Sequence, residues 1–243
     1  MEGVFLNSIP KSGTHLLHQI LINLNFREKF GFFASTPSWN MRIRRTRDAK
    51  KYLSKIYKNE IISGHLFHSE EMVNFLKEHS FPTIFIYRDP RAIFLSELHY
   101  LSEMNRWHRC HKFYSKCNSF DEKFDLCLEG LPMENFYYPK FSERISDYIG
   151  WINCDHALCI QFEELINEKT RDKAVKNIID YLSFFNKDIK SLNFHPSNSL
   201  ITPENSHTFT GMNPHRWQKT LNTSQILRLE SQLGDLINEM GYK

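Results

Sequence analysis

A short polar turn near the start of the chain carries residues suited to binding an anion. It occupies residues 8–15, between an apolar run at residues 4–6 and a stretch with helical periodicity. The start of a helix presents unpaired backbone N–H groups and the positive end of the helix dipole. The turn adds a positive charge, hydroxyl donors and a glycine that permits close backbone approach, in Lys11, Ser12, Thr14 and Gly13. We interpret the turn as a phosphate cradle; the alternative is a strand–helix turn with one exposed lysine.

A second polar group follows the clearest strand pattern of the sequence, residues 82–87. Arg88 comes directly after this strand, and Ser96 lies eight residues later on the helix that Pro90 begins. Ligands bind at the carboxyl ends of parallel strands, and an arginine with a nearby hydroxyl suits a phosphate. The pair is therefore predicted to clamp a phosphate. The alternative is a surface arginine paired with Asp89 and an exposed helical serine.

A histidine ends a further short strand, residues 60–65. An ordinary histidine pKa near 6.5 makes His65 a suitable general base near neutral pH, with His68 as a second candidate. A strand-end histidine more commonly caps a loop. The position of His65 between the two phosphate motifs favours the catalytic interpretation.

The elements that position these groups alternate between strands and helices. Strands are predicted at residues 4–6, 60–65, 82–87 and 157–162. Helices are predicted at residues 16–24, 69–79, 90–104, 120–128, 141–153, 171–185 and 223–240. This alternation predicts an α/β fold, a parallel β-sheet flanked by helices on both faces. Irregular structure is predicted at residues 31–40 and over most of 105–139, and a lid or binding loop at residues 193–214.

Length and composition limit the protein classes. The 243 residues suffice for one domain spanning residues 1–243, and the 20 Phe suit a large core or an apolar substrate pocket. A net charge of +3 is too weak to indicate nucleic-acid binding. No run of about 18 apolar residues and no signal-peptide pattern occurs, which predicts no stable membrane insertion. Five cysteines without CxxC spacing indicate reduced thiols in a cytoplasmic protein rather than a zinc site near His108 and Cys110.

A basic segment at residues 42–58 carries eight Lys or Arg residues against one acid, Asp48. A solvated helix face is the favoured interpretation. The alternative is a basic lip that attracts an anionic cofactor or an acidic substrate.

The two phosphate motifs together resemble those of the sulfotransferases that use 3′-phosphoadenosine 5′-phosphosulfate (PAPS). Residues 10–14, Pro-Lys-Ser-Gly-Thr, resemble the 5′-phosphosulfate loop, and Arg88 with Ser96 resembles the 3′-phosphate motif. Residues 63–65, Ser-Gly-His, resemble the segment with the catalytic histidine, 23 residues before Arg88. Weaker similarity continues in order through Trp151, residues 159–165 and residues 211–219. A Walker A loop is excluded because the lysine precedes the glycine.

The resemblance implies a P-loop-like sulfotransferase architecture that moves a sulfuryl group from PAPS to a hydroxyl or amine, leaving 3′-phosphoadenosine 5′-phosphate (PAP). His65 corresponds to the general base, and Lys11 to the residue that stabilises the leaving phosphate. The resemblance places the following residues at the PAPS site: Lys11, Ser12, Gly13, Thr14, His15, Arg88, Ser96, Phe162 and Trp217. No metal is predicted, since Lys11 supplies the positive charge.

Several positions depart from the family pattern. Leu16 stands where members carry an adenine-stacking Trp, Phe162 replaces a strand-end Tyr, and Thr210 precedes Gly211 where the lid has Arg-Lys-Gly. The acceptor is predicted to be a small molecule or a glycan. The family's dimer motif is not recognisable at residues 219–230, so no oligomeric state is predicted. Two alternatives stay open: a P-loop-type nucleotide kinase, and a non-catalytic protein that binds a nucleotide or polyanion.

Overall fold

A five-stranded parallel sheet forms the centre of the structure. The computed structural model describes residues 3–185 and 213–243. The sheet strands are β1 Val4–Ser8, β2 Arg27–Ala34, β3 Glu60–His65, β4 Thr83–Tyr87 and β7 Ala157–Gln161. Their spatial order is β2-β3-β1-β4-β7, and every neighbouring pair is parallel. A separate antiparallel hairpin joins β5 Leu131–Met133 and β6 Phe136–Tyr138.

Helices connect the strands and close the C-terminal part of the described chain. Their bounds are α1 Thr14–Asn23, α2 Thr46–Leu53, α3 Glu70–Glu78, α4 Pro90–His99, α5 His111–Tyr114, α6 Phe120–Glu129, α7 Phe141–Ile149, α8 Phe162–Ile166, α9 Glu168–Phe185, α10 Arg216–Thr220, α11 Thr223–Leu233 and α12 Leu236–Glu239. A π-helical turn, Tyr100–Met104, continues α4.

Both faces of the sheet are covered by apolar side chains, as the predicted fold class requires. Along β1, Phe5 packs into a cluster with α3, α4 and α7, whereas Val4 and Leu6 pack into a second cluster with α1 and α9. Strand β4 alternates in the same way, with Phe85 on the first side and Ile84 on the second. Strands buried on both faces read as continuous apolar runs, which is why the sequence predicts β1 and β4 well. The predicted α/β class is confirmed.

Local residue choices set the helix starts. Asp89 accepts a hydrogen bond from the Arg91 N–H at 2.9 Å and precedes Pro90 in the first turn of α4. The side chains of Ser69, Ser119 and Asn222 accept N–H groups at the starts of α3, α6 and α11. Helix α1 differs, because it begins after Gly13 without any side-chain cap. Its first turn is thereby left open toward the cavity described below.

The structure departs from the sequence-based elements in several places. Strand β2 and the β5–β6 hairpin occur where irregular structure was predicted. Strand β2 is an edge strand with an irregularity between Glu28 and Phe32, and it includes Gly31 and three charged residues, so it lacks the apolar alternation of a central strand. The predicted helix 90–104 changes to a π-helical turn after His99, and the helix 223–240 is divided near Gly234. Most of the predicted lid, residues 193–212, lies outside the described residues.

Candidate active site

Four predicted site residues follow the carboxyl ends of four neighbouring strands. Lys11 follows β1, His65 ends β3, Arg88 follows β4, and Phe162 follows β7. Because β1 lies between β3 and β4, the polar turn has the histidine on one side and the arginine on the other. A cavity of about 780 Å³ opens at this edge. Its lining includes most of the predicted site: Lys11, Gly13, Thr14, His15, His65, Arg88, Ser96 and Phe162.

The polar turn is shaped so that its backbone approaches the cavity closely. Lys11 has φ 69° and Gly13 has φ 98°, both in the left-handed region. A Cβ atom on Gly13 would lie 2.4 Å from the Phe162 ring, so any side chain there would displace that ring. The Ser12 hydroxyl is fully buried and has no hydrogen-bond partner among the described residues. An unpaired buried hydroxyl and an uncapped helix start together fit an anion.

Lys11 lines the cavity beside Tyr100. Its Nζ atom lies 3.9 Å from the centroid of the Tyr100 ring, on the π-helical turn. Burial lowers the pKa of Lys11 to about 8; the Glu97 carboxylate opposes this shift and Arg88 adds to it. The ammonium group is therefore charged at neutral pH but costly to hold in its charged form. A bound phosphate would relieve that cost.

His65 is held in one orientation by Ser8, the last residue of β1. Its Nδ1 lies 2.9 Å from the Ser8 carbonyl oxygen and 3.0 Å from Ser8 Oγ. A carbonyl oxygen can only accept, so Nδ1 carries the hydrogen and Nε2 is left as the proton acceptor. Ser8 Oγ is also 2.7 Å from Thr14 Oγ1. This chain of contacts links the base to the first residue of α1, and it lets the Thr14 hydroxyl donate its own hydrogen to an anion.

The environment of His65 changes its titration. Burial lowers the pKa of His65 to about 4; the hydrogen bond to the Ser8 backbone opposes this shift, and the charges of Lys11 and His15 add to it. The sequence-based expectation of an ordinary pKa near 6.5 is thereby corrected. His65 is neutral throughout the physiological range, as a proton acceptor must be.

Arg88 is half-buried against an aromatic face and forms no ion pair with the carboxylates beside it. Its guanidinium carbon lies 4.5 Å from the Phe162 ring centroid, and its Nε has no hydrogen-bond partner among the described residues. Glu163 instead accepts the Tyr242 hydroxyl at 2.7 Å and the Asp89 N–H at 3.3 Å. Asp89 is bound by the Arg91 guanidinium through two 3.0 Å contacts. Arg88 therefore keeps its donors for a ligand.

Ser96 and Trp217 line a recess together with Arg88. Ser96 and Arg88 both line the main cavity, and both also line an adjoining recess of about 230 Å³. Trp217 is buried in the wall of that recess, with the Arg91 guanidinium carbon 4.4 Å from its ring centroid. Trp217 thus lies near the arginine clamp and is not among the residues lining the main cavity. The second candidate base, His68, is not among them either.

Sequence reasoning missed a charged pair in the cavity wall. Glu97 Oε1 lies 3.1 Å from an Arg144 nitrogen and accepts the Tyr138 hydroxyl at 2.9 Å. Glu97 could have been noticed as the neighbour of Ser96, but Arg144 lies 47 positions away in α7 and carries no local signal. The contact of Ser8 with His65 was also missed, although Ser8 is the first residue of the polar turn. These contacts join residues distant in sequence, so only packing brings them together.

The remaining predictions about the site concern charge and metals. Within the basic segment 42–58, only Arg44 lines the cavity, and the rest of the segment carries α2 and its flanking turns. Among residues 3–185 and 213–243, no cluster of three or more His, Cys, Asp or Glu is arranged to hold a metal ion. None of the helices described there is long and apolar enough to cross a membrane.

An uncapped helix start and a deep cavity at the carboxyl edge of a parallel sheet are typical of α/β enzymes that bind phosphorylated ligands. The sequence matches the sulfotransferase domain family over residues 2–240. The chain therefore belongs to the sulfotransferase family, and the predicted enzyme class and sulfuryl transfer are confirmed. The kinase and the non-catalytic binding protein are not supported.

Solved structures of similar fold agree with this assignment. A mouse sulfotransferase complexed with PAP has a TM-score of 0.60 at 18% identity, covering 100% of this chain and 86% of the mouse chain. Retinol dehydratase in complex with retinol and PAP has a TM-score of 0.52 at 14% identity, covering 97% and 81%. A putative steroid sulphotransferase of Arabidopsis thaliana has a TM-score of 0.51 at 19% identity, covering 99% and 78%. These likenesses confirm the predicted architecture. A search of curated proteins found no match.

Proposed function

We propose that this protein transfers a sulfuryl group from PAPS to the hydroxyl or amine of a small-molecule or glycan acceptor. The observation that carries the proposal is the arrangement of Lys11, His65 and Arg88 around one cavity at the carboxyl edge of the sheet, with the Nε of Arg88 unpaired among the described residues. PAP-bound proteins of the same fold support PAPS as the donor. Retinol dehydratase is in complex with retinol in one structure and with androsterone in another, and these ligands support a small apolar acceptor.

Each residue has a role in this proposal. The backbone of residues 12–15 and Lys11 hold the 5′-phosphate, while Arg88 and Ser96 hold the 3′-phosphate. PAPS supplies the sulfuryl group when it is bound. His65 Nε2 accepts the proton of the acceptor hydroxyl as its oxygen attacks. Lys11 neutralises the charge that develops on the leaving phosphate, so its positive charge contributes to turnover as well as to binding.

Phe162 and the positive charges of the site bear on how the nucleotide would bind. Phe162 lies between Gly13 and Arg88. A planar base could stack there, near Leu16, which stands where family members carry the adenine-stacking Trp. A metal is not required, since Lys11 and Arg88 provide the positive charge. We also propose one domain over residues 1–243 and a cytoplasmic location, supported by five free cysteines.

The decisive experiment is the transfer of labelled sulfate from PAPS to a panel of alcohols, phenols, amines and glycans. We expect one or more products that depend on the protein. His65→Ala should lower turnover by about 10²–10⁴ while PAP affinity is retained, because the base contacts the acceptor. Lys11→Ala should lower both turnover and donor affinity. Absence of transfer to every acceptor, with no binding of PAP, would refute the proposed function.

A further inference from the structure

The end of the cavity nearest His65 has an aromatic wall. The Phe32 ring centroid lies 4.6 Å from that of His65, and the Phe67 ring contacts Tyr137 and Tyr148 at 5.6 and 5.2 Å. All of these residues line the cavity. A ring-bearing acceptor would bury apolar surface here with its hydroxyl close to the proposed base.

Arg44 adds a positive charge to the lining of the same cavity. Its guanidinium carbon lies 4.7 Å from the Phe33 ring centroid and 4.9 Å from the Trp39 ring centroid, and the residue lines the cavity. Its backbone N–H donates to the Ser35 carbonyl at 2.8 Å, and the Ser35 N–H donates to the His65 carbonyl at 2.9 Å. Two backbone hydrogen bonds therefore anchor Arg44 next to the strand that carries the base.

Within residues 3–185 and 213–243, no carboxylate pairs with Arg44. Its guanidinium forms no ion pair or hydrogen bond within the described residues, whereas its neighbours Arg45 and Lys50 pair with Asp48 and Glu71. Neither of the two acids that line the cavity pairs with Arg44: Glu97 pairs with Arg144 at 3.1 Å, and Glu28 is largely exposed, 3.8 Å from His18 Nε2. A guanidinium stacked on its faces keeps its in-plane N–H groups for an anion. Arg44 is thus a cation with its donors available in the same cavity as the aromatic wall.

We propose that the acceptor is a ring-bearing hydroxy acid, whose carboxylate pairs with Arg44 while its hydroxyl faces His65. The aromatic wall selects the ring, and the available guanidinium selects the negative charge. This inference rests on the proposed function, because His65 defines where the hydroxyl must lie. It makes Arg44 a specificity-determining residue that binds the acceptor rather than the nucleotide.

The test compares acceptors that differ only in charge. Pairs of hydroxyaryl and larger hydroxylated ring carboxylates with their primary amides are titrated into PAP-saturated protein by calorimetry, and their kcat/KM values are measured with PAPS. We expect at least one acid to bind about 10-fold or more tightly than its amide, the size of a charge-assisted contact. Arg44→Gln should abolish this preference, and Arg44→Lys should retain part of it. Arg42→Gln removes the same charge from an exposed position outside the cavity and should keep the wild-type preference.

Equal affinities for every acid and its amide in the wild type would overturn the inference without reference to any variant. A preference for the acid that persists in Arg44→Gln would also overturn it. So would an Arg42→Gln variant that lowers the preference as much as Arg44→Gln does, because that result would indicate a long-range electrostatic field rather than a contact. Acceptor binding is measured in the absence of turnover, so this inference and the proposed function can be refuted independently. Lack of transfer from PAPS would count against the proposed function, whereas transfer without acid preference would count against this inference alone.

Discussion

Lys11 and His65 illustrate how single residues acquire their properties from the fold. Both are basic groups that burial shifts toward their neutral forms, with pKa values of about 8 and about 4. The consequences are opposite. A low pKa keeps His65 neutral at neutral pH, whereas the lowered pKa of Lys11 brings the loss of its charge close to the working range.

The pH dependence of kcat/KM for PAPS should report Lys11. Its ammonium group must be charged to attract phosphate, so kcat/KM should fall as pH rises through about 8. His65 stays neutral above its pKa of about 4, so no rising limb should appear near pH 6.5. The measurement is a profile over about pH 6 to 10 with an alcohol acceptor, which does not titrate there. Lys11→Arg should move the falling limb to higher pH.

A different pH profile of kcat/KM would contradict these assignments to Lys11 and His65. A rising limb centred near pH 6.5 in wild-type protein would mean that His65 is solvated in the working enzyme. An unchanged falling limb in Lys11→Arg would show that another group controls the loss of activity.

Among the secondary-structure elements, the C-terminal segment after α12 controls the surroundings of Arg88. The Tyr242 hydroxyl donates to Glu163 at 2.7 Å, and the Lys243 carbonyl accepts from Arg91 at 2.8 Å. Glu163 is thereby bound to the Tyr242 hydroxyl, and Arg91, which binds Asp89, is held in place, so neither carboxylate pairs with Arg88. An arginine that pairs with its own neighbours would have to break that pairing to bind phosphate.

Tyr242→Phe should weaken the binding of PAP several-fold, because Glu163 would then be free to pair with Arg88. Adenosine 5′-phosphosulfate lacks the 3′-phosphate, so its affinity should change little. Adding Glu163→Gln should restore much of the PAP affinity by removing the competing charge. Affinities are measured by calorimetry for both ligands.

Tyr181→Phe provides the matched control, since its hydroxyl binds the backbone of Thr83 and His156 away from the cavity. Equal losses for both nucleotides in Tyr242→Phe would indicate a general structural effect. Failure of Glu163→Gln to restore binding would show that Glu163 does not compete for Arg88.

The whole molecule is a sheet packed between two apolar clusters, with polar groups gathered at one edge. The groups that we propose to bind phosphate follow β1 and β4 and lie at the start of α1, so a nucleotide would connect elements that are distant in sequence. A ligand that binds only the folded state stabilises it by mass action. Ligand-dependent stability therefore tests the assembled site.

PAP at about 100 times its dissociation constant should add about 2.7 kcal/mol to the free energy of unfolding. For a chain of this size, the melting temperature should rise by roughly 5–10 °C. The shift, measured by scanning calorimetry, should persist in EDTA because Lys11 and Arg88 provide the positive charge. Arg88→Ala should lose much of it. A shift with Mg-ATP and none with PAP would instead favour nucleotide kinase chemistry.

Several features of this protein can be read from the sequence alone. Apolar runs that alternate with helical periodicity identify β1, β3, β4 and β7, because strands buried on both faces and amphipathic helices have local patterns. Turn residues at the end of β1 and the Arg88–Ser96 spacing identify the phosphate motifs, because the chemistry of glycine, hydroxyl and guanidinium groups can be recognised from a short segment of sequence. The edge strand β2 and the short β5–β6 hairpin have no such pattern, so they were missed.

Only the tertiary structure decided how these groups act together. The order β2-β3-β1-β4-β7 sets His65 and Arg88 on opposite sides of Lys11, and Ser8 reaches His65 across 57 positions in sequence. The availability of Arg88 depends on Tyr242, at the other end of the chain, and the pKa shifts depend on burial. Burial and contacts between distant segments arise from packing of the whole chain, so no local pattern of residues can specify them.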